Sequence, residues 1–325
     1  MTFEQMAKMT QPALKAALAA ELANMNFGPR AGDGFVYAAG KLPVLLVAHM
    51  DTVHDKPPET ICRSDGGRII MSPEGIGGDD RAGCYMALEV IKKRRCHVLF
   101  CEDEEAGAAG ARKFVAGGIK PAVNFIVGLD RRGSDDAVFY GCDNPDFTKF
   151  VESFGFKKAE GSFSDISVIA PALGIAAANV SAGFYCEHTR HEYVDMDAVA
   201  RNIGRVGEMA AAATGRFEYV ESAAPGFMGF GPQYGHFPFS EARALMGLGI
   251  GHCVATEEGG LAECCGDHYI DRHGAVYEFR WDLGMAVEAG GTAMTENFMP
   301  ARFREEEAEI IEVLRMGGAG GKGAA

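Results

Sequence analysis

The chain has 325 residues, of which 47% are hydrophobic and 23% charged, a globular composition that excludes a disordered or collagen-like chain. Its net charge of −14 disfavours nucleic acid and anionic lipid as partners. No apolar run approaches the ~20 residues that a membrane-spanning helix needs, so no membrane partner is expected.

The N-terminus and the cysteines indicate the compartment. Charged residues such as Glu4 and Lys8 interrupt the apolar run that a signal peptide would need. The nine cysteines are scattered and include no CxxC pair. This usage is typical of reduced thiols and disfavours a cysteine-based zinc site, and we expect a cytoplasmic protein.

The predicted elements alternate along the first two thirds of the chain. A helix is predicted over Gln11–Asn24, with Leu14, Leu18 and Leu22 on one face. Short, almost continuous apolar runs, typical of strands buried on both faces, follow at Leu42–Ala48, His97–Cys101, Val123–Leu129 and Ile175–Val180. Helical stretches are predicted at Asp80–Lys93, 108–116 and Val194–Thr214. The alternation predicts an α/β fold, with a three-layer, open, mostly parallel sheet and helices on both faces.

The amino-acid composition of the chain changes after Gly215. Residues Pro225–His236 are crowded with glycine, proline and phenylalanine. The Phe-rich stretch Phe227–Phe239 is predicted to be a loop packed on the first domain, with a lid or a subunit contact as the alternatives. Helices are predicted near 240–248 and over 304–316, and a strand at Ala275–Trp281. We therefore predict a domain over 1–218, a small α+β region of unknown role over 219–316, and a disordered tail over 317–325. A homo-oligomer is left open.

Polar residues follow each of the four predicted strands. His49-Met50-Asp51, the run 102–105 (Glu-Asp-Glu-Glu) and Asp130 come directly after the first three strands, and His188 comes a few residues after the fourth. Asp79 stands at the start of the helix over 80–93. Ligands of open α/β sheets bind outside the carboxyl ends of the strands, so we expect these side chains at one rim.

This residue set predicts a metal site. Imidazoles and carboxylates without a thiolate suit zinc, cobalt or manganese. There are enough ligands for two ions if one carboxylate bridges, and such sites activate water for hydrolysis. The adjacent Glu104 and Glu105 can divide the work, one as a ligand and the other as a general base.

Taken singly, each feature has an ordinary explanation. Asp79 and Asp80 are typical helix caps, His49 alone would be a rim histidine, and the run 102–105 alone would be a solvated turn. Asp130 has Arg131 and Arg132 as candidate ion-pair partners.

Other histidines carry weaker hypotheses. His54 has no assigned role. A second metal site in the C-terminal region is a minor alternative, because its residues match no zinc-finger spacing. These residues are His252, His268, His273, Cys253, Cys264 and Cys265.

Five segments, in order over roughly residues 40–200, together resemble the co-catalytic di-zinc exopeptidase superfamily. It includes peptidase T-like aminotripeptidases, related carboxypeptidases and deacylases, and zinc aminopeptidases. The segments are Ala48–Val53 (AHMDTV), Gly78–Gly83 (GDDRAG), Asp103–Gly107 (DEEAG), Leu129–Asp130 and His188–Val194 (HTRHEYV).

The resemblance implies a role for each matching residue. His49 and Asp130 would bind the first metal ion, and Glu105 and His188 the second, while Asp79 would bridge both. Asp51 would orient the ring of His49, and Glu104 would be the general base. The spacing to Glu192 selects His188 rather than His191 as the ligand. Ser164, Asp165 and His191 are candidates for substrate binding.

The chain departs from the peptidase T branch in one respect. That branch carries a lid or dimerisation domain before its last histidine, whereas only residues 131–187 separate Asp130 from His188 here. We therefore predict a single catalytic domain without a lid, as in the compact aminopeptidases.

The resulting prediction is a metallo-exopeptidase with two divalent ions, zinc or else cobalt or manganese. A water bridging the ions would attack the peptide bond of a short peptide, with Glu104 as the base. In the resemblance, an aspartate at position 130 favours an aminopeptidase. The alternatives are an N-acyl-amino-acid deacylase or carboxypeptidase on the same site, or a non-catalytic scaffold.

Overall fold

The computed structural model describes residues 1–222, except Ser162, and five strands between Cys253 and Thr292. The chain divides into two compact units, residues 1–228 and 229–325. The boundaries at 218 and 316 stay predictions. Several predicted segments lie outside the described residues: the loop over 227–239, the helices at 240–248 and 304–316, and the tail over 317–325.

The first unit contains helices on both faces of a large sheet. The helices are α1 (Phe3–Ala7), α2 (Gln11–Asn24), α3 (Gly78–Lys93), α4 (Ala109–Ala116), α5 (Pro145–Glu152), α6 (Asp165–Leu173) and α7 (Met196–Ala211). The strands are β1 (Arg30–Gly32), β2 (Phe35–Ala38), β3 (Leu42–His49), β4 (Cys62–Arg63), β5 (Ile69–Met71), β6 (Cys96–Cys101), β7 (Phe125–Arg131), β8 (Asp136–Val138), β9 (Lys157–Ala159), β10 (Ala177–Ser181), β11 (Phe184–Tyr185) and β12 (Tyr193–Asp195).

The large sheet has eight strands in the order β1-β2-β6-β3-β7-β10-β8-β9. Its centre, β6-β3-β7-β10, is parallel, while β2 and β8 join it antiparallel. The predicted mostly parallel α/β sheet is therefore confirmed. A smaller antiparallel sheet, β11-β12-β5-β4, accompanies it.

Burial on both faces explains why the central strands are continuous apolar runs. Along β3, Val44 and Leu46 belong to one buried hydrophobic cluster, while Leu45 and Val47 belong to another. The first cluster includes the leucines of α2 at positions 14, 18 and 22, and the second includes apolar residues of α4 and α6. Because side chains alternate along a strand, the two clusters cover opposite faces, which gives the predicted three layers.

No separate domain lies between Asp130 and His188 in the part of the chain described there. Residues 131–187, described except for Ser162, form the end of β7, the strands β8 to β11, and the helices α5 and α6. Four of these strands belong to the large sheet. The prediction of a catalytic domain without an inserted lid agrees with this arrangement.

The second unit contains a five-stranded antiparallel sheet. Its strands follow chain order as β13 (Cys253–Ala255), β14 (Leu261–Cys265), β15 (His268–Asp271), β16 (Ala275–Arg280) and β17 (Met285–Thr292). The strand predicted at 275–281 corresponds to β16. In the described residues, no helix is long and apolar enough to cross a membrane.

Asp195 is the N-cap of α7, which begins at Met196, two residues after the predicted start at Val194. Its carboxylate accepts hydrogen bonds from the backbone N–H groups of Asp197 and Ala198, at 3.0 and 3.3 Å, and pairs with Arg68 at 2.7 Å. Asp195 is also the last residue of strand β12, in which Val194 pairs with Ile70 of β5, so Val194 is not helical. The side chain of Asp195 therefore decides where the helix starts.

We expect Asp195→Ala to destabilise the first unit by about 1 kcal/mol, because the first turn of α7 loses its cap. Urea unfolding midpoints of the variant and the parent measure this. The hydrogen bond from Arg68 lowers the pKa of Asp195, so its contribution is present above pH ~4 and is lost as the pH falls through the folded-state pKa. The exposed Asp197→Ala, a matched control in the same turn, should change stability by less than about 0.5 kcal/mol. Equal effects of the two variants would contradict the capping role.

Candidate metal centre

The carboxyl ends of three parallel strands bring the first site residues together. His49 is the last residue of β3 and stands opposite Cys101, the last residue of β6, after which the run 102–105 follows. Asp130 lies near the end of β7, on the other side of β3. The structure therefore brings these residues together at one edge of the sheet, as the sequence predicted.

The start of α3 supplies the next carboxylate. Asp79 and Asp80 have non-helical backbone angles, and the Asp80 carboxylate accepts hydrogen bonds from the N–H groups of Gly83 (2.8 Å) and His49 (3.1 Å). Asp80 thus caps the helix and ties it to the end of β3. A Cβ at Gly83 would come within 2.2 Å of both Asp80 Oδ1 and the Leu129 carbonyl oxygen, so only glycine permits this approach.

Asp79 lies between the two histidines. His49 Nε2 is 3.1 Å from Asp79 Oδ1, and His188 Nε2 is 3.2 Å from Asp79 Oδ2. The two oxygens of one carboxylate therefore face two different imidazoles. His49 and His188, far apart in the sequence, face the same pocket.

Asp130 and Glu105 complete the two halves. Asp130 Oδ1 lies 3.5 Å from His49 Nε2, and Glu105 Oε1 lies 2.8 Å from His188 Nε2. His49, Asp79 and Glu105 each offer a ligand atom within 4.8 Å of the others, and so do His49, Asp80 and Asp130. Asp80 belongs to the second group by distance alone, because its two oxygens already accept the backbone hydrogen bonds from Gly83 and His49.

His188 is held in an unusual backbone conformation. Its φ of 63° lies in the left-handed region, which residues other than glycine rarely adopt. Thr189 Oγ1 donates to the Cys186 carbonyl at 2.7 Å, and Glu187 pairs with Arg132 at 2.7 Å. These contacts fix the turn that directs the ring of His188 toward Asp79, and such strained residues cluster at functional sites.

Asp51 connects His49 to the run 102–105, which we call the acidic turn. Its Oδ1 lies 3.2 Å from His49 Nδ1, and its two oxygens accept hydrogen bonds from the N–H groups of Glu104 (3.1 Å) and Glu105 (3.0 Å). A carboxylate behind a histidine fixes the ring orientation and leaves Nε2 free to bind.

The pKa values of the histidines respond to the carboxylates around them. Burial lowers the pKa of His49, but the carboxylates of Asp130, Asp51 and Asp79 raise it well above its usual value. The pKa of His188 is raised in the same way by Asp79 and Glu105. Burial raises the pKa of Asp79, but its hydrogen bonds to His188 and His49 outweigh burial and lower the pKa strongly. The carboxylates of the pocket therefore stabilise positive charge placed between them.

The two remaining carboxyl groups have raised pKa values. Burial, with a contribution from Asp79, raises the pKa of Asp130 to about 6. Burial raises the pKa of Glu104 to about 9, with Asp130 and other nearby carboxyl groups adding to the shift. In the described residues, neither carboxyl group has a lysine or arginine partner within 4.0 Å.

The donor set fits divalent metal ions. Buried carboxylates at this density repel one another unless cations compensate them. Within the described part of the chain, no lysine or arginine pairs with Asp79, Glu105 or Asp130. Two imidazoles with several carboxylates form the ligand set of zinc and related ions.

Asp130 does not form the alternative ion pairs. Arg131 pairs instead with Asp136 at 3.3 Å, and Arg132 with Glu187. The backbone of Asp130 is held by Asn179 of β10, which accepts from its N–H at 2.9 Å and donates to its carbonyl at 2.7 Å. Asn179 is a supporting residue that the sequence analysis missed, since nothing local marks an asparagine inside an apolar strand.

Glu192 and His54 were also missed as supporting residues. Glu192, 1% exposed, accepts hydrogen bonds from the N–H groups of Gly77 and Asp79, both at 2.8 Å. The Oε2 atom of Glu192 also lies 3.1 Å from the Nε2 atom of His54. Glu192 thus fixes the backbone that carries Asp79. The one sequence signal was its position in the segment HTRHEYV.

The three candidates for substrate binding differ in location. Ser164 and Asp165 are 1% and 2% exposed at the start of α6, and Ser164 is a hydrogen-bonding neighbour of Asp130. Neither carboxyl oxygen of Asp165 has a hydrogen-bond partner among the described residues, and burial raises its pKa to about 7. His191 is exposed, and no ion pair joins its ring to the described cluster. Substrate binding by these residues stays a prediction.

The second metal site considered near His252 and His273 lies outside the described residues. The side chains of Cys253, Cys264, Cys265 and His268 are likewise not described.

Comparison with known proteins gives matches only at the level of structure. No family model matches the sequence, and no curated protein matches it. Aminopeptidase PepT from Bacillus cereus ATCC 10987 is 15% identical with a TM-score of 0.53, and the match covers 65% of this chain and 97% of that one.

Two further solved structures are similar to the same extent. A tripeptidase from Staphylococcus aureus subsp. aureus Mu50 is 13% identical with a TM-score of 0.53, covering 64% of this chain and 96% of that one. An aminopeptidase from the archaeon Desulfurococcus kamchatkensis is 14% identical with a TM-score of 0.51, covering 65% and 94%. At these identities the likeness concerns the fold. The chain has the zinc exopeptidase-like fold that the resemblance implied.

Proposed function

We propose that this protein is a metal-dependent exopeptidase that removes residues from the N-terminus of short peptides. The observation that carries the proposal is the position of Asp79, whose two carboxylate oxygens face His49 Nε2 at 3.1 Å and His188 Nε2 at 3.2 Å. A carboxylate shared between two imidazoles is the arrangement expected of a bridging ligand in a two-metal site.

The remaining ligands divide around this carboxylate. His49 with Asp130 would hold one ion, His188 with Glu105 would hold the other, and Asp79 lies between the two pairs, where it could bind both. Asp51 orients the ring of His49 and, through the N–H groups of Glu104 and Glu105, keeps the acidic turn in register with the end of β3. When bound there, divalent ions would supply polarisation of the scissile carbonyl and a lowered pKa of water.

Glu104 is the proposed general base. It follows β6 in the same turn as Glu105, it is not within 4.0 Å of either imidazole in the described ion pairs, and burial raises its pKa. As a carboxylate beside the ions, it suits both halves of the reaction, because it can accept a proton in the first and return it in the second. Glu104 takes a proton from the attacking water and passes it to the departing nitrogen.

The surroundings favour a free amino group over a carboxylate as the recognised end of the peptide. Recognition of an α-carboxylate normally needs a cationic side chain beside the metal ions, whereas a free amine needs only hydrogen-bond acceptors or a carboxylate. Arg131 and Arg132, the arginines next to Asp130 in the sequence, are paired with Asp136 and Glu187. The similar solved structures named as aminopeptidases and a tripeptidase support the same choice.

Metal analysis and a peptide panel test the proposal together. We expect the purified chain to carry close to two divalent ions, to cleave free dipeptides and tripeptides, and to lose this activity when chelated. Zinc, cobalt or manganese should restore it. N-acetylation of the same peptides should abolish cleavage, because it removes the charged amine.

Each alternative has its own outcome in this experiment. Faster cleavage of N-acylated substrates would favour the deacylase, and release of C-terminal residues would favour the carboxypeptidase. A chain that binds none of the three metals and cleaves no peptide would be a scaffold. The homo-oligomer and the cytoplasmic location stay predictions.

A further inference from the structure

A polar cavity lies behind the proposed metal centre, on the side of the N-terminal helices. It has a volume of about 180 Å³, well above the roughly 10–15 Å³ that holds one water molecule. Its walls include the segment from Ala7 to Gln11, the segment from Asp51 to Pro58, and Arg81 of α3. The proposed reaction uses Asp51 from this wall and does not use the cavity itself.

Arg81 is a buried cation without an anionic partner. It is 5% exposed, and its Nη1 donates to the carbonyl oxygens of Met6 (2.8 Å) and Met9 (2.9 Å). Its Nε is buried and has no hydrogen-bond partner. In the part of the chain that the structure describes, no carboxylate oxygen lies within 4.0 Å of the guanidinium. Burial lowers the pKa of Arg81, and Asp51 and Asp80 raise it only from beyond this distance, so the guanidinium has no direct carboxylate partner among the described residues.

The start of α2 adds a second feature that favours an anion. Thr10 and Gln11 line the cavity, and Thr10 is the N-cap of this 14-residue helix, with a side chain that makes no capping hydrogen bond. The N–H groups at the start of a helix and its dipole favour negative charge. Lys56 contributes a further positive charge to the wall.

The wall contains two carboxylates, Asp51 and Asp55, of which Asp51 is engaged elsewhere. Both oxygens of Asp51 accept hydrogen bonds from the acidic turn, and Oδ1 also faces His49. His54, also in the wall, contacts Glu192. Asp55 is exposed. The features of the wall that favour an anion are therefore Arg81, Lys56 and the start of α2.

We propose that this cavity binds a compact oxyanion, a phosphate or a small carboxylate, between Arg81, Lys56 and the N-terminus of α2. The bound anion would pair with the guanidinium and join the segment before α2 to the segment after β3. The inference does not rest on the proposed function, because it concerns the wall behind Asp51 rather than the ligands.

Isothermal titration of the purified chain with inorganic phosphate tests the site. We expect saturable binding of one phosphate per chain at constant ionic strength, a rise in thermal midpoint that chloride does not produce, and retention of binding in His188→Ala. Retention there separates this cavity from phosphate bound at the metal ions. A parallel titration with acetate distinguishes the two sources, since tighter binding of acetate would identify a carboxylate.

Two variants locate the anion. Arg81→Gln should weaken phosphate binding by roughly 10-fold or more, because charge-assisted hydrogen bonds are lost. Lys56→Glu reverses an exposed charge of the wall without touching the bonds to Met6 and Met9, and it should also weaken binding. Lys120→Glu, an exposed charge reversal elsewhere, is the matched control.

The proposal is overturned if neither phosphate nor acetate binds saturably, or if binding disappears in His188→Ala. It is also overturned if Lys56→Glu binds as tightly as Lys120→Glu. In those cases the role of Arg81 is structural, and consists of its hydrogen bonds to the carbonyl groups of Met6 and Met9.

Discussion

Glu104→Gln should retain the bound metal and lose turnover by about 10²–10⁴-fold or more, the contribution of a positioned general base. Glutamine keeps the shape and the backbone of the turn, so the N–H groups that bond to Asp51 stay in place. The amide cannot accept a proton from water or deliver one to the leaving nitrogen. The loss should therefore fall on kcat, with little change in KM.

Two further measurements make the assignment specific. The metal content of Glu104→Gln should equal that of the parent, whereas Glu105→Gln should reduce it, although the two residues are adjacent. Glu102→Gln, in the same turn but paired with Lys15 at 2.5 Å, is the matched control and should keep activity within a few-fold. Parental turnover in Glu104→Gln would show that another group is the base.

A different result would point to a neighbour. Asp165 is buried next to the site with no hydrogen-bond partner for its carboxyl oxygens among the described residues, and it adds to the raised pKa of Glu104. If Glu104→Gln remains active and Asp165→Asn does not, the proton passes through Asp165. Measuring both variants on the same tripeptide distinguishes the two residues.

The central strands and the main helices could be predicted because their signals are local. The predicted helix over Gln11–Asn24 has the observed bounds of α2, and β3 extends the predicted run by one residue, to His49. Apolar runs buried on both faces and apolar faces at helical spacing need no long-range information. The same strands end in the polar residues of the site, so the sheet edge could be located as well.

The edges of the fold were not predictable in the same way. Strands such as β1, β4 and β9 have only two or three residues, and most of these residues are exposed. Such short segments carry no clear alternation, and their pairing depends on neighbours that are distant in the sequence. The small sheet containing β5 and β12 was missed for this reason.

Sequence reasoning also missed the contacts that support the site. The role of Glu192 depends on the backbone of Gly77 and Asp79, which lie more than a hundred positions away. The resemblance gave Asp79 the bridging role, but the role of Asp80 could not be read from the sequence. Both residues stand at the start of the helix, and only the side-chain contacts show that Asp80 caps it while Asp79 faces the histidines.

Asp79→Ala should lose nearly all bound metal, because the two halves of the centre share only this carboxylate. Without it, His49 with Asp130 and His188 with Glu105 would each be left as a pair of ligands, below the three or more that hold zinc in proteins. Asp79→Asn keeps the shape of the side chain and should also bind metal poorly, since the charge is lost. Elemental analysis after dialysis measures the metal content, and helix content by circular dichroism shows whether the fold persists. Asp33→Ala, at a residue whose side chain is 87% exposed, is the control and should keep its metal. Unchanged metal content in folded Asp79→Ala and Asp79→Asn would contradict the bridging role and, with it, the two-metal centre.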